Sequence, residues 1–332
     1  MRQLILFATL LITSTIFAAA PDKLLGDNFE TQTFEMGEDY SGSVRSTLIN
    51  RVPRLDTDRA ILYIHGYNDY FFQADMANRF YDSSYNFYAI DLRRYGRSLD
   101  STQTPFEVRD LKEYFADIDS ALMVVRQQGA KEVILMGHST GGLIASYYCG
   151  TQNNDTPPVD GIILNSPFLD MNLGGFMESV LVPIVSTIGR YFPNFKVSGG
   201  GSSAYFESIH KDYHGEWDFD ATLKLKYSTP ITAGWIRAIH TAQKSVQAGC
   251  NIEIPILLIY SDKSYNNSEW SPEYQISDSV LDVVDIKKYG SQLGADVTHA
   301  QIKDGLHDLV LSNKKAREET YSRIFQWLSE LQ

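Results

Sequence analysis

The sequence predicts an α/β fold, in which helices cover both faces of a mainly parallel β-sheet. Short segments that are apolar on both faces recur along the chain, and such strands belong to sheets covered on both sides. Segments with the three- and four-residue apolar spacing of helices lie between several of them. The segments that we interpret as strands are residues 60–64, 86–90, 133–136, 161–164, 256–260 and 297–302.

The remaining elements follow from local patterns. Residues 34–52 alternate in the manner of strands, with turn residues at 40–43, and predict a β-hairpin. A helix is expected to begin at residues 104–107, where proline occupies the first turn, and to continue through Val125. Two further helices are expected at residues 141–148 and 317–331.

The composition is that of a large globular protein. Of the 332 residues, 43% are hydrophobic and 21% are charged, which allows a sizeable core. The formal net charge of −12 makes nucleic acids and anionic membrane surfaces poor partners for the chain.

Residues 1–19 have the layout of a secretory signal peptide. Arg2 precedes an apolar stretch that ends in small residues. A membrane anchor is the alternative, but the stretch is short for a bilayer span. Pro21 disfavours cleavage after Ala20, so Ala18 or Ala19 is the expected last residue of the signal. We therefore expect an exported protein, periplasmic or secreted, with no stable membrane span after signal removal.

Residues 167–249 interrupt the alternation of strands and helices. They include an apolar run at 180–184 and a glycine cluster at 199–201. We expect an inserted helical cap that shapes a substrate cleft above the strand ends; a peripheral helical subdomain is the alternative. The core would then comprise residues 20–166 and 250–332.

The strongest chemical signal is the pattern G-x-S-x-G. Gly137, His138, Ser139, Thr140 and Gly141 follow an apolar strand and precede a credible helix start. In that context the serine lies on a strained turn, which small flanking residues allow to close, and the helix N-terminus favours developing negative charge. A glycine-rich turn with a surface serine is the alternative.

A serine hydroxyl needs a general base to act as a nucleophile. In the chain order that accompanies this turn, the histidine follows the last strand. His307 lies directly after the strand at 297–302 and is the expected base. His65 and His138 are expected to brace the nucleophile loop. The other histidines lie inside the strand or in the cap: His299, His210, His214 and His240.

The acid is expected on the long loop after the strand at 256–260. Asp262 follows that strand too closely, whereas Asp278 and Asp282 both lie where a carboxylate would hold the imidazole.

Two backbone N–H groups are expected to form an oxyanion hole. One belongs to Thr140, the residue after the nucleophile, and the other to Tyr67, which follows Gly66 at the end of an early strand. A plain strand-ending turn is the alternative for residues 65–67.

The two cysteines, Cys149 and Cys250, have no metal-ligand spacing. They would form a disulfide in an exported protein or remain buried thiols. The sequence predicts no metal site.

Three motifs together resemble the α/β hydrolases, in the branch of monoacylglycerol lipases, lysophospholipases and serine aminopeptidases. They are Ile64-His65-Gly66, the octapeptide at 91–98 and the glycine-flanked pattern at 137–142. The resemblance covers nearly the whole mature chain apart from the cap. It implies the α/β-hydrolase fold, hydrolysis of esters or amides through an acyl-enzyme, and no cofactor. It also implies Ser139 as nucleophile, His307 as base, and Tyr67 and Thr140 as oxyanion donors.

The sequence departs from this family's pattern in two places. The family acid closely follows its strand, but Ser264 occupies that position here. Asp278 matches the family's spacing of about thirty residues before the histidine (307 − 278 = 29) better than Asp282 does (307 − 282 = 25), which implies a loop longer by about fourteen residues. Residues 68–70 read Asn-Asp-Tyr, where monoacylglycerol lipases have Gly-Glu-His.

These residues predict a serine hydrolase for small-molecule ester or acyl-chain substrates. The aromatic cap and the apolar run at 180–184 favour a hydrophobic acyl group. A peptidase or amidase of the same fold is the alternative, and a cap carboxylate would then hold the substrate's amino terminus; the candidates are Glu207, Glu216 and Asp218. A non-catalytic binding protein on this scaffold is a third hypothesis, which the set of Ser139, His307 and Asp278 disfavours.

Overall fold

A single mixed β-sheet forms the centre of the computed structural model, which describes residues 19–152, 155–175, 177–197, 202–267 and 269–331. Its strands are β1 (Ala20–Asp22), β2 (Gly26–Asp39), β3 (Gly42–Arg51), β4 (Arg59–Ile64), β5 (Asn86–Asp91), β6 (Glu132–His138), β7 (Gly161–Asn165), β8 (Ile256–Ser261) and β9 (Val297–Ile302). Within these ranges the strands pair in the order β1-β2-β3-β5-β4-β6-β7-β8-β9.

The strands from β4 onward are parallel, whereas β1, β2 and β3 join the sheet antiparallel. Ile64 of β4 lies opposite both Ile90 of β5 and Gly137 of β6. Parallel strands bring their carboxyl ends to one edge of the sheet, where ligands bind in open α/β folds. The residues that follow β4, β6, β8 and β9 therefore meet at one edge.

Helices cover both faces of the sheet. They are α1 (Ala74–Asp82), α2 (Phe115–Gln127), α3 (Thr140–Gly150), α4 (Val182–Tyr191), α5 (Ala204–Ile209), α6 (Ala233–Gln247), α7 (Val283–Gly290) and α8 (Lys314–Glu330). Alternation along the strands gives each face its own apolar cluster: Leu62 packs with Ile118 of α2, whereas Ile61 belongs to the cluster of Phe80 and Trp327, on α1 and α8. The predicted α/β architecture is confirmed.

The helix predicted to begin at residues 104–107 begins later, so that prediction was wrong. A 3₁₀ turn at Leu111–Tyr114 leads into α2. Asp110 and Glu113 form a capping box there, which supplies acceptors for the first N–H groups. Phe106 has a φ of 64°, in the left-handed region, so the chain around it cannot continue as a right-handed helix.

The segment between β7 and β8 contains a π-helical turn at Met177–Leu181 followed by α4, α5 and α6. α6 packs its Ala238, Ile239 and Ala242 into the core cluster of the α3 face. The glycine cluster at 199–201 falls outside the described residues, as do residues 1–18 of the expected signal peptide.

No helix in the described ranges is long and apolar enough to cross a membrane. Cys149, at the end of α3, and Cys250 are both free thiols.

Candidate active site

Ser139 lies on a strained turn between β6 and α3. Its φ and ψ are 53° and −117°, a combination that L-residues rarely adopt. The turn closes because its neighbours lack side chains: a Cβ added at Gly137 would lie 2.5 Å from the Gly141 carbonyl oxygen, and one added at Gly141 would lie 2.4 Å from that of Ile64. The glycines of the pattern are therefore required by the approach of the backbone on both sides of the serine.

The loop after β4 lies against this turn. A Cβ added at Gly66 would lie 3.2 Å from the Cβ of Ser139. The N–H groups of Tyr67 and Thr140 donate to no backbone acceptor among the described residues. His65 holds the loop, because its Nδ1 donates to the Gly66 carbonyl (2.8 Å) and its Nε2 accepts from the Leu92 N–H (3.1 Å). The arrangement leaves two donors beside the serine for a developing negative charge.

His307 follows β9 and is paired with Asp278. The distance from His307 Nδ1 to Asp278 Oδ2 is 2.9 Å, and both side chains are buried. The other carboxylate oxygen of Asp278 accepts from the N–H groups of Val280 (2.9 Å) and Leu281 (2.8 Å). These bonds fix the carboxylate and orient the imidazole. His307 and Ser139 line the same cavity, although no hydrogen bond joins their side chains in the described structure.

The two other candidate acids do not contact His307. Asp282 caps α7, accepting from the Val284 N–H at 2.9 Å. Asp262 accepts from the Asp304 N–H at the same distance.

Asp278 reaches His307 because the chain loops out after Ser264, which occupies the family's acid position, and comes back beside it at Asp278. Ser264 and Asp278 form an isolated bridge, in which the Tyr265 N–H donates to the Asp278 carbonyl and the Asp278 N–H donates to the Lys263 carbonyl, both at 2.9 Å. The Ser264 hydroxyl secures the return by donating to the Leu281 carbonyl (2.9 Å). Residues 265–277, here called the acid loop, are thus an excursion that closes on itself.

A cavity of about 360 Å³ lies above Ser139. Its wall combines the loop after β4, the turn at Ser139, the segment between β7 and β8, the acid loop with its return, and His307. The lining residues are Tyr67, Asn68, Asp69, His138, Ser139, Ser202, Tyr205, Lys224, Ser228, Ile231, Asn266, Tyr274, Ser279, Val280 and His307. Neither Val180 nor Ile184 of the apolar run is among them.

A buried ion pair joins the segment between β7 and β8 to the loop after β4, and the sequence did not predict it. Lys224 Nζ lies 2.8 Å from Asp69 Oδ1. Next to it, the Asn68 side chain donates to the Leu225 carbonyl (2.7 Å) and accepts from the Leu225 N–H (2.9 Å). The departure from the family pattern at residues 68–70 was the available signal, but it gave no indication of the partner.

His138 is buried beside His307, with ring centroids 4.9 Å apart. Its Nδ1 lies 3.9 Å from Asp69 Oδ2 and 4.0 Å from Asp308 Oδ2. Burial lowers the pKa of His138, and the neighbouring His307 lowers it further, so the ring is neutral near pH 7. Burial raises the pKa of Asp308, and the charge of Lys224 opposes that shift.

The cap carboxylates proposed to hold an amino terminus lie outside the cavity lining and are paired with basic side chains. Glu207 pairs with Lys226 at 2.9 Å and Asp218 with Lys211 at 2.7 Å. Glu216 pairs with Arg317. The remaining histidines also lie outside this lining: His65, His210, His214, His240 and His299.

Comparison with known proteins places the chain in a family. The family profile described as serine aminopeptidase, S33, matches residues 56–265, more than half of the chain. No curated protein sequence matches the chain.

Several solved structures share the fold. A soluble variant of monoglyceride lipase from Saccharomyces cerevisiae, in complex with a substrate analogue, is 16% identical, with a TM-score of 0.65, over 95% of this chain and 99% of that one. The monoacylglycerol lipase of Paleococcus ferrophilus is 17% identical, with a TM-score of 0.59, over 82% and 95%. A thermostable carboxyl esterase from Bacillus coagulans is 14% identical, with a TM-score of 0.60, over 92% and 99%. The chain belongs to the serine aminopeptidase S33 family and has the α/β-hydrolase fold.

Proposed function

We propose that the protein is a serine hydrolase that cleaves carboxylic esters through an acyl-enzyme. The observation that carries this proposal is the buried His307–Asp278 pair on the same cavity as Ser139, whose backbone is strained. Backbone strain at a serine between a strand and a helix is the geometry of an exposed nucleophile.

The steps follow from the positions of these groups. The Ser139 hydroxyl attacks the ester carbonyl while His307 takes its proton, and Asp278 stabilises the resulting imidazolium. The N–H groups of Tyr67 and Thr140 bind the oxyanion. His307 returns the proton to the leaving alcohol, and water then hydrolyses the acyl-enzyme by the same route in reverse.

Ester hydrolysis is favoured over peptide hydrolysis by the charges around the cavity. Asp69, the carboxylate of the loop after β4 that lines the cavity, is already neutralised by Lys224, and the cap carboxylates pair with basic residues elsewhere. Solved structures that share its fold include proteins described as lipases and as an esterase.

We also propose that residues 1–19 direct export and are removed, which leaves a periplasmic or secreted enzyme. The support is the order of basic, apolar and small residues at the start of the chain.

Labelling with a fluorophosphonate probe tests the catalytic proposal. We expect the wild-type protein to be labelled and Ser139→Ala to be unlabelled, with a loss of nitrophenyl butyrate hydrolysis on the order of 10⁵-fold or more. Ser146→Ala is the matched control, because Ser146 is buried on α3 and its hydroxyl donates to the Gly142 carbonyl at 2.8 Å. Equal labelling of Ser139→Ala and wild type, or no labelling of either, would contradict the proposal. Faster cleavage of aminoacyl anilides than of esters would favour the peptidase alternative.

A further inference from the structure

The cavity beside Ser139 contains a buried ammonium group that the proposed mechanism does not use. Lys224 lines the cavity and is only 5% exposed. An ammonium carries three N–H donors. The carboxylate of Asp69 is its ion-pair partner, and the described residues supply no acceptor for the remaining donors. Burying a charge is costly unless its hydrogen-bonding capacity is used, so these donors indicate an acceptor in the bound ligand.

Aromatic rings surround the rest of this ammonium. The ring centroids of Phe72, Tyr205 and Phe219 lie 5.8, 5.9 and 6.0 Å from Lys224 Nζ. They limit the approach of water from those sides. The cavity is therefore the direction from which a substrate would reach Nζ.

The rest of the lining is mixed. Ser202, Ser228 and Asn266 contribute polar side chains, whereas apolar surface comes from Tyr67, Tyr205, Tyr274, Ile231 and Val280. The buried Ser279 hydroxyl has no hydrogen-bond partner among the described residues. Ligand sites are ordinarily lined by apolar side chains with a few polar groups that fix the ligand's orientation, and the Lys224 ammonium is a charged donor placed to do so here.

The apolar residues that suggested an acyl-chain site lie outside the cavity lining. Val180 and Ile184 are 39% and 50% exposed, and neither lines the cavity. The apolar run therefore gives no support for an acyl-chain site in this cavity.

The charges near Lys224 favour a neutral ligand over an anionic one. Asp69 balances the ammonium, and Asp308 and Asp278 are two further buried carboxylates around the histidines. A ligand anion would add a negative charge to this group, whereas a hydroxyl or ether oxygen accepts from Nζ without one.

We propose that the site prefers neutral esters that carry a hydroxyl group, and that Lys224 recognises a substrate oxygen as a specificity-determining residue. This inference rests on the proposed ester hydrolysis. Because the hydroxyl group can belong to the acyl or the alcohol part of the substrate, the experiment includes both.

The test compares kcat/KM for five esters by pH-stat titration. Ethyl butyrate is the reference. Ethyl 3-hydroxybutyrate carries a hydroxyl on its acyl part, and glycerol monobutyrate carries hydroxyls on its alcohol part. Ethyl decanoate represents a long acyl chain, and monoethyl succinate represents an anion. We expect kcat/KM for at least one hydroxylated ester to exceed that for ethyl butyrate by about tenfold or more, and kcat/KM for monoethyl succinate to fall below it.

Variants assign the preference to Lys224. In Lys224→Met we expect the ratio of hydroxylated to reference ester to fall about 10- to 100-fold, the value of a hydrogen bond from a charged donor. Since that change leaves Asp69 buried without a counter-ion, the double variant Lys224→Met/Asp69→Asn is measured beside it. Lys211→Met is the control, because it removes a lysine paired with Asp218 outside the cavity lining.

Two results would overturn the inference while leaving ester hydrolysis intact. One is a kcat/KM that shows no gain from a hydroxyl on either part of the substrate, whatever its change from butyrate to decanoate. The other is an unchanged hydroxyl preference in the folded double variant. A wild-type protein that is neither labelled by a fluorophosphonate nor active on any of the five esters would instead contradict the proposed function itself.

Discussion

The His307 imidazole is held from one side by a carboxylate that is itself held by backbone. Asp278 uses one oxygen for His307 and the other for the N–H groups of Val280 and Leu281. This division leaves the carboxylate a single orientation relative to the ring. Asp282, four residues later, caps the first turn of α7 with its side chain.

The pair Asp278→Asn and Asp282→Asn separates these roles. We expect Asp278→Asn to lower kcat for an ester on the order of 10⁴-fold, because an amide selects the wrong imidazole tautomer and does not stabilise its cation. We expect Asp282→Asn to stay within about twofold of wild type, since asparagine also caps a helix. Steady-state kinetics on nitrophenyl butyrate, with thermal unfolding to check folding, decides between them. Equal losses in both variants would show that Asp278 is not the acid.

Residues with a fixed place in a local motif were predictable from the sequence, and residues joined only by tertiary contact were not. The patterns around Ser139 and His307 specify a strand, a turn and a following helix, so their positions follow from short segments. Lys224 and Asp69 are 155 positions apart (224 − 69 = 155) and meet only because the cap segment folds over the loop after β4. No periodicity or spacing in either segment encodes that meeting.

The turn between β6 and α3 is an element whose strained backbone places Ser139 on the wall of the cavity. The backbone of Gly141 lies too close to Gly137, and that of Ile64 too close to Gly141, for either glycine to carry a Cβ. Ser139 itself carries a side chain at a φ of 53°. A non-glycine residue in such a region costs about 1–3 kcal/mol.

Substituting the serine by glycine or alanine measures this cost. Both variants remove the hydroxyl, but only Ser139→Gly relieves the backbone. We expect the free energy of unfolding of Ser139→Gly to be at least equal to that of Ser139→Ala. Glycine ordinarily lowers stability by about 0.5–1 kcal/mol relative to alanine, and relief of the backbone strain would offset that loss. Chemical denaturation of the two variants gives the difference. A Ser139→Gly protein less stable than Ser139→Ala by the ordinary glycine cost would mean that the turn stores no strain.

The start of α2 and the acid loop show what a local sequence pattern does not predict. Pro105 is a common first-turn residue, but the acceptors that begin a helix are supplied further along, by Asp110 and Glu113. The acid loop was predictable in length, because the number of residues between Asp278 and His307 matches the family's spacing, so that the extra residues must precede Asp278. The hydrogen bonds of its return at Ser264 depend on residues on both sides of the excursion, and the sequence gave no signal for them.

On the scale of the whole molecule, the alternation of apolar strands and amphipathic helices was enough to predict the parallel part of the sheet. The cap segment was recognisable as an interruption of that alternation. Which of its side chains line the cavity was not, because α4 exposes apolar residues that a sequence pattern would assign to a binding cleft.

The beginning of the described chain is tied to the centre of the molecule by charge. Asp22 Oδ2 lies 2.6 Å from Arg97 Nε, and Arg97 Nη1 lies 2.9 Å from Asp91 Oδ2 at the end of β5. Asp22 also accepts from the N–H groups of Leu24 and Leu25, both at 2.7 Å. A mature enzyme that lacked Asp22 would lose a buried partner of Arg97, at a cost of about 1.5–3 kcal/mol for a charged hydrogen bond.

The proposed export signal must therefore end before this ion pair. We expect intact-mass measurement of the exported protein to give a chain that begins at Ala19 or Ala20, because cleavage after Ala18 or Ala19 retains β1 and Asp22. Asp22→Asn, secreted in parallel, tests the physical reason: we expect the same terminus and a lower free energy of unfolding. Asp58→Asn is the control, since Asp58 pairs with exposed Lys131 at 3.1 Å and such exposed pairs contribute little to stability. A mature chain that begins after Asp22, or one that retains residues 1–18, would contradict the proposed signal.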